Sequence, residues 1–433
     1  MPNAMTIPFH RPLIGEDEIT SVTECLRSGW LTTGQRALAF EKKFAEYIGA
    51  PHAVAVNSCT AAMHLALAAL RIGPGDEVIT SPYTFVATCE AIQYVGAKPV
   101  FVDIDPATLN LNPDLLPAAL SERTRAIVPV HVAGHPADMA PIMAFARAHK
   151  LKVMDDAAHA VEAAITDYGR QISDCGLQIA KTTSAGKKQS QIKNPESAIG
   201  KIGTIGEATC FSFYATKNLT TGEGGMVTCT DPELAAHIRR LSLHGLSRDA
   251  WKRYTAAGSW YYEVLEQGYK YNLTDIAAAL GLAQLAKVEA MWQRRAEIFA
   301  RYNAAFGNMP ELEIPTAKPG IRHAWHLYVL RLHLNKLTIN RNEFFDELRR
   351  RGIGCSVQFI PLHLMPYYHQ TYGFRPGDFP EAERQYERAI SLPLYPALTN
   401  HEIKYIIESV QQVVAAHIRQ RKVSYAIRQT ASV

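Results

Sequence analysis

The stretch Thr209-Cys-Phe-Ser-Phe-Tyr-Ala-Thr-Lys-Asn-Leu-Thr-Thr-Gly-Glu-Gly-Gly-Met-Val-Thr-Cys229 sets two short apolar runs, 209–213 and 226–229, on either side of a polar loop rich in glycine. Runs of this length, with β-branched and aromatic residues and turn residues at their ends, read as strands. Lys217 stands four residues past the first of them. A lysine after a strand is in most proteins a plain surface residue. Here Gly222, Gly224 and Gly225 allow close backbone approach, and Ser212 supplies a hydroxyl for a phosphate.

The same rhythm extends upstream. Apolar runs at 53–56, 77–80, 99–103, 126–130 and 152–155 alternate with segments of helical period, such as the Ala- and Leu-rich 60–70 and the segment 141–149, entered at a proline. Strands alternating with helices predict a mostly parallel, doubly wound α/β sheet, in which ligands collect beyond the carboxyl ends of the strands. After about residue 261 the pattern becomes a long helical stretch at 275–306, then strands near 326–333 and 357–360 separated by an amphipathic segment at 341–351. The expected division is a large α/β domain over 1–260 and a smaller C-terminal α+β domain over 261–433 that includes the long connecting helix. A polar, aperiodic segment at about 171–199 reads as an inserted surface loop, and the basic end beyond Arg419 as a frayed tail.

Bulk properties narrow the class. With 433 residues and 47% hydrophobic content the chain buries a large core, and a net charge of +4 from 45 basic and 41 acidic residues points to neither nucleic acid nor a membrane surface as partner. The seven cysteines are odd in number and never spaced as C-x-x-C, which argues against a disulfide framework or a zinc site. The histidines His131, His135, His323 and His326 match no zinc spacing either, so no metal is expected. The start of the chain has no apolar core of a leader, and no stretch reaches the roughly 18 apolar residues of a membrane span, so a cytoplasmic location is expected.

Four strand ends then carry chemistry. An electron-sink cofactor for amino-group transfer needs a lysine, an acid for its ring nitrogen, an aromatic over its ring and a phosphate cradle. Val153-Met-Asp-Asp-Ala-Ala-His159 ends a strand in two acids, of which Asp156 is the candidate partner of the ring nitrogen, with His159 near the ring. Read alone, Asp155 and Asp156 are more simply a cap for the helix that follows. Asn57-Ser-Cys-Thr-Ala-Ala is a strand-to-helix junction suited to a phosphate, with Cys59 and Thr60 the candidate contacts, though Ser and Thr are common N-caps anyway. Phe85, after the strand at 77–80, is the candidate aromatic, although most Phe so placed belong to the core.

These strings, in this order, resemble the DegT-type family of sugar-nucleotide aminotransferases. The resemblance runs from Ser28-Gly-Trp-Leu-Thr-Thr-Gly34 through Gly268-Tyr-Lys-Tyr-Asn-Leu-Thr-Asp275 and His323-Ala-Trp-His-Leu-Tyr328 to Ser391-Leu-Pro-Leu-Tyr-Pro396. It implies the type I fold of pyridoxal-phosphate enzymes: a Schiff-base role for Lys217, Asp156 on the pyridine nitrogen, Phe85 and His159 flanking the ring, and Cys59, Thr60 and Ser212 on the phosphate. It also implies a homodimer with shared active sites, Asn272 reaching the phosphate of the other subunit. Thr33, His326 and His363 are candidates for the sugar side. Within the family the strings are most similar to the branch that makes UDP-4-amino-4-deoxy-L-arabinose for lipid A, with departures at Gln35 and Phe85 and the insertion before residue 200. The activity implied is amination of a UDP-4-keto sugar with L-glutamate as donor and 2-oxoglutarate as product. Amination at C3 and a non-catalytic sugar-nucleotide-binding regulator are the alternatives. A dehydrase that carries histidine in place of the lysine is opposed by Lys217, and no G-x-x-x-x-G-K-[ST] string supports a nucleotide triphosphatase.

Overall fold

The computed structural model describes residues 5–168, 200–247 and 261–419, so the insertion at 171–199 and the tail beyond Arg419 fall outside the described residues. Its centre is a seven-stranded sheet. In chain order the strands are β1 (His52–Val56), β2 (Glu77–Thr80), β3 (Lys98–Phe101), β4 (Thr124–Ile127), β5 (Lys152–Asp156), β6 (Ala208–Ser212) and β7 (Gly225–Cys229). Their spatial order is β1-β7-β6-β5-β4-β2-β3, with β7 antiparallel to both neighbours and the other pairings parallel.

Strands buried on both faces alternate their side chains between two cores. Ile79, Val153, Phe211 and Met226 pack on one side, and Val78, Met154, Cys210 and Val227 on the other. The helix Cys59–Ala69 lies over the second core, buried along nearly its whole length, and Ser58 caps it by accepting from Ala61 N at 3.0 Å. β7 passes close under that cap. A Cβ on Gly225 would sit 2.5 Å from the Ser58 carbonyl and 2.7 Å from Cys59 N, so only glycine fits there.

A third core gathers Ile7 with Ile298, Phe299, Tyr302 and Phe306 against a three-stranded sheet of Leu312–Glu313, Tyr328–Leu332 and Ala389–Leu392. Two expectations are corrected here. The helix 275–306 is broken at Lys287 into Asp275–Ala286 and Val288–Phe306, and Lys287 Nζ reaches back 2.7 Å to the buried Glu18. The run 357–360 forms no strand: Ser356 bridges Ser391, after which the chain leaves the sheet and the Gln358 carbonyl accepts from Tyr83 OH at 2.9 Å. The third strand is Ala389–Leu392 instead.

Candidate active site

Beyond the carboxyl ends of β1, β2, β5 and β6 opens a cavity of about 700 Å³. Eight of the candidate residues line it: Cys59, Thr60, Phe85, Asp156, His159, Ser212, Lys217 and His326. They come from five separate segments of the chain: seven end or follow a strand of the central sheet or open the helix after one, and His326 comes from the segment before Tyr328–Leu332, where its backbone N donates to Ala133 O.

Lys217 lies in the loop that leaves β6, where its backbone N donates to Tyr214 O at 2.9 Å. Burial pushes its amine below the usual lysine range, opposed by Cys59 and Asp156. Among the described residues its amine has neither an ion pair nor a hydrogen bond. Half-buried, without a partner among the described residues and facing the cavity, the amine is free to take up a ligand. Asp156 ends β5. Its Oδ2 accepts from Thr88 Oγ1 at 2.7 Å and its Oδ1 from Ala158 N at 3.1 Å. Burial raises its carboxyl, opposed by Thr88, Ala158 and Lys217. A half-buried amine and a buried acid therefore share one cavity without a direct ion pair between them. A group with an aldehyde at one place and a protonatable ring nitrogen at another fits between them.

Ser212 and the start of the Cys59–Ala69 helix face the same space. Cys59 Sγ donates to Cys210 O at 3.5 Å, and burial holds its thiol well above the usual range, so this residue offers an anion its backbone N–H and not a thiolate. His159 stacks on His326 at 4.3 Å, lies parallel to Phe359 at 5.9 Å, and has a buried Nδ1 without a partner. Burial keeps His159 and His326 neutral. Phe85 stands at the rim, 61% exposed.

Three candidates lie elsewhere. Asn272 Nδ2 donates to Thr33 Oγ1 at 2.6 Å, and both sit beside the end of β1, where Asn57 N bonds Tyr271 O. His363 is buried against Phe379 with Nε2 2.8 Å from Glu383, outside the cavity. Sequence reasoning passed over His10, Thr88, Asn218, Glu162 and Phe359. The only local signals were adjacency to Lys217 for Asn218 and the three-residue step from His159 for Glu162. Among the described residues no group of three or more His, Cys, Asp or Glu is placed to hold a metal ion, and no helix is long and apolar enough to cross a membrane.

Glu162 lies behind the cavity, fully buried, accepting from Asn218 Nδ2 at 2.8 Å. Burial outweighs Asn218 and Arg295 and pushes its carboxyl from 4.5 up to about 7. Between those two values the native state keeps a proton that the unfolded chain releases, so this group's contribution to stability falls as pH rises through that window. Glu162→Gln is expected to raise Tm at pH 8 by roughly 2–4 °C, the worth of about 1 kcal/mol in a domain of this size, with the gain vanishing toward pH 4.5. Thermal unfolding across pH reads this, and an equal shift at every pH would exclude it.

The chain matches the sequence profile of the DegT/DnrJ/EryC1/StrS aminotransferase family over residues 12–411. It is 50% identical over 409 residues to the uncharacterized protein MJ1066 of Methanocaldococcus jannaschii, covering 94% of this chain and 98% of that protein. It is 49% identical over 409 residues to the spore coat polysaccharide biosynthesis protein SpsC of Bacillus subtilis, covering 94% and 97%. Among solved structures, the putative sugar aminotransferase Spr1654 of Streptococcus pneumoniae in its PLP form superposes with a TM-score of 0.81 at 32% identity, covering 95% of this chain and 99% of that one.

Proposed function

This chain belongs to the DegT/DnrJ/EryC1/StrS aminotransferase family, and from that premise we propose that it transfers the amino group of glutamate to the ketone of a nucleotide-linked sugar, a UDP-4-keto sugar first. It is a sugar aminotransferase of the type I fold and depends on pyridoxal phosphate. The cofactor supplies an aldehyde for amine exchange and a pyridinium ring that takes up the charge left at a substrate carbon.

The carrying observation is the amine of Lys217, unpartnered among the described residues, and the carboxyl of Asp156 in one cavity. In this reading Lys217 holds the aldehyde and, once released, moves a proton on and off the substrate carbon through Nζ, a task suited by an amine whose pKa burial has lowered. Asp156 keeps the ring nitrogen protonated, and Thr88 fixes the carboxylate's direction. Backbone N–H groups at Cys59 and Thr60 together with Ser212 take the phosphate, while His159 and Phe85 flank the ring.

Among the described residues Lys217 is the only lysine or arginine lining the cavity, yet a sugar nucleotide carries a diphosphate and glutamate two carboxylates. A second copy supplies the missing positive charge in the proposed homodimer, with Asn272 and the neighbouring Lys270 as the reaching residues. Large apolar side chains exposed on the first two helices and in 261–265, among them Ile19, Leu26, Leu38, Val264 and Leu265, support such an interface. The polysaccharide role in the name of the Bacillus relative supports an amino sugar made in the cytoplasm for a cell-surface glycan.

Running the reverse half-reaction on a panel of amino sugar nucleotides tests this. The expected result is bleaching of the pyridoxamine form by glutamate's product 2-oxoglutarate and its regeneration by a UDP-4-amino sugar. Regeneration by 3-amino sugars alone would move the reaction to C3, and turnover of free amino acids only would remove the sugar.

A further inference from the structure

Immediately after Lys217, the side-chain amide of buried Asn218 makes three contacts. Its Nδ2 lies 2.8 Å from Glu162 Oε2 and 2.8 Å from the Ala324 carbonyl, and its Oδ1 lies 2.9 Å from His326 Nδ1. Which end of an amide is nitrogen has to be inferred from its partners. Ala324 decides it, because a carbonyl oxygen only accepts: the nitrogen must face Ala324, and the oxygen is left for His326. An amide oxygen also only accepts, so the hydrogen of this contact sits on His326 Nδ1. In a neutral imidazole the other nitrogen, Nε2, then carries a bare lone pair.

We propose that Asn218, held in plane by Glu162 and Ala324, fixes His326 in its Nδ1–H tautomer, so that His326 offers Nε2 to the cofactor cavity as a hydrogen-bond acceptor. Asn218 and Glu162 are positioning residues, and His326, which lines the cavity, is the group that meets the ligand. The groups facing His326 support the neutral form: besides burial, His159, Lys217, Arg295 and His10 all bear on it as bases or cations, and Glu162 is reached only through the Asn218 amide. An acceptor has a definite chemical preference. On the sugar-aminotransferase reading, what Nε2 takes is a donor such as a sugar hydroxyl, whereas a phosphate or carboxylate would bring a second lone pair against it.

The tautomer is measured on the holoenzyme without any sugar, by long-range 15N–1H correlation on protein labelled at histidine, the His326 signals being those lost in His326→Gln. One protonated Nδ1 and one bare Nε2 are expected; the reverse pattern or an imidazolium would overturn the proposal. Asn218→Asp gives a second reading. It sets a carboxylate against Nδ1, favouring the imidazolium, so kcat/KM should gain an ionisation between about pH 5.5 and 8 and drop about 10-fold or more on the acid side. A pH profile that matches the unaltered enzyme would also overturn it. If Asn218→Asp does not fold, the spectrum alone decides. Because no sugar enters the spectroscopic arm, its failure leaves the aminotransferase reading intact, and failure of every sugar in the panel leaves the tautomer standing.

Discussion

Replacing Lys217 by alanine is expected to abolish the visible absorption of lysine-bound cofactor and to lower turnover on the order of 10⁴-fold or more, since in the proposed reading one group both holds the cofactor and moves the proton. The fold should survive. The half-buried amine has no ion pair or hydrogen bond to lose among the described residues, so its removal costs no contact of that kind and widens an existing cavity. Lys217→Arg separates charge from chemistry. Arginine keeps the positive charge near Asp156 but does not lose its proton and forms no such bond, so it should be as inactive as alanine. Absorbance and single-turnover assays on both variants measure this, and a retained band with near-normal turnover in either would end the assignment.

The sheet was readable for a simple reason. Strands buried on both faces are largely apolar, and runs such as 53–56 and 226–229 show it plainly. Their ends were less legible: the run expected at 126–130 is regular strand only over Thr124–Ile127, and Pro129, which has no N–H to give to the ladder, stands before the single bridge from Val130 to Asp156. Tertiary contacts decided the rest. Nothing local marks a break at Lys287, whose bend goes with its reach to Glu18, and Val357-Gln-Phe-Ile360 alternates like a strand although its backbone is spent on other partners.

The cavity divides in the same way. Lys217, Asp156 and Ser212 stand where a strand ends, and their position is written in the strand pattern. His10, Asn218 and Glu162 depend on what the fold sets beside them. Asn218 has meaning only once the Ala324 carbonyl, 106 residues away, fixes its amide. A residue whose role is set by an acceptor elsewhere in the chain leaves no periodic trace.

The same contrast separates charge from shape at Asp156. Asp156→Asn keeps the size of the side chain, and its carbonyl oxygen can still accept from Thr88, but the negative charge is gone. If the carboxylate keeps the ring nitrogen protonated, this change should lower kcat by about 10²–10³-fold, the scale seen when one preorganised electrostatic partner is lost from a buried site. Asp156→Glu retains the charge with a poorer fit and should lose less. Stability should rank the other way, because Asn removes a buried acid that burial already penalises, whereas Glu must crowd Thr88 and Ala158. The pH profile adds a signature that packing alone would not give. In the unaltered enzyme protonation of Asp156 should cut activity on the acid side, at a pH above the usual aspartate range because burial raises the group, and in Asp156→Asn that acid limb should disappear from a uniformly low rate. An asparagine variant that outperforms glutamate, or that keeps the acid limb, would show that Asp156 serves the fold and not the cofactor.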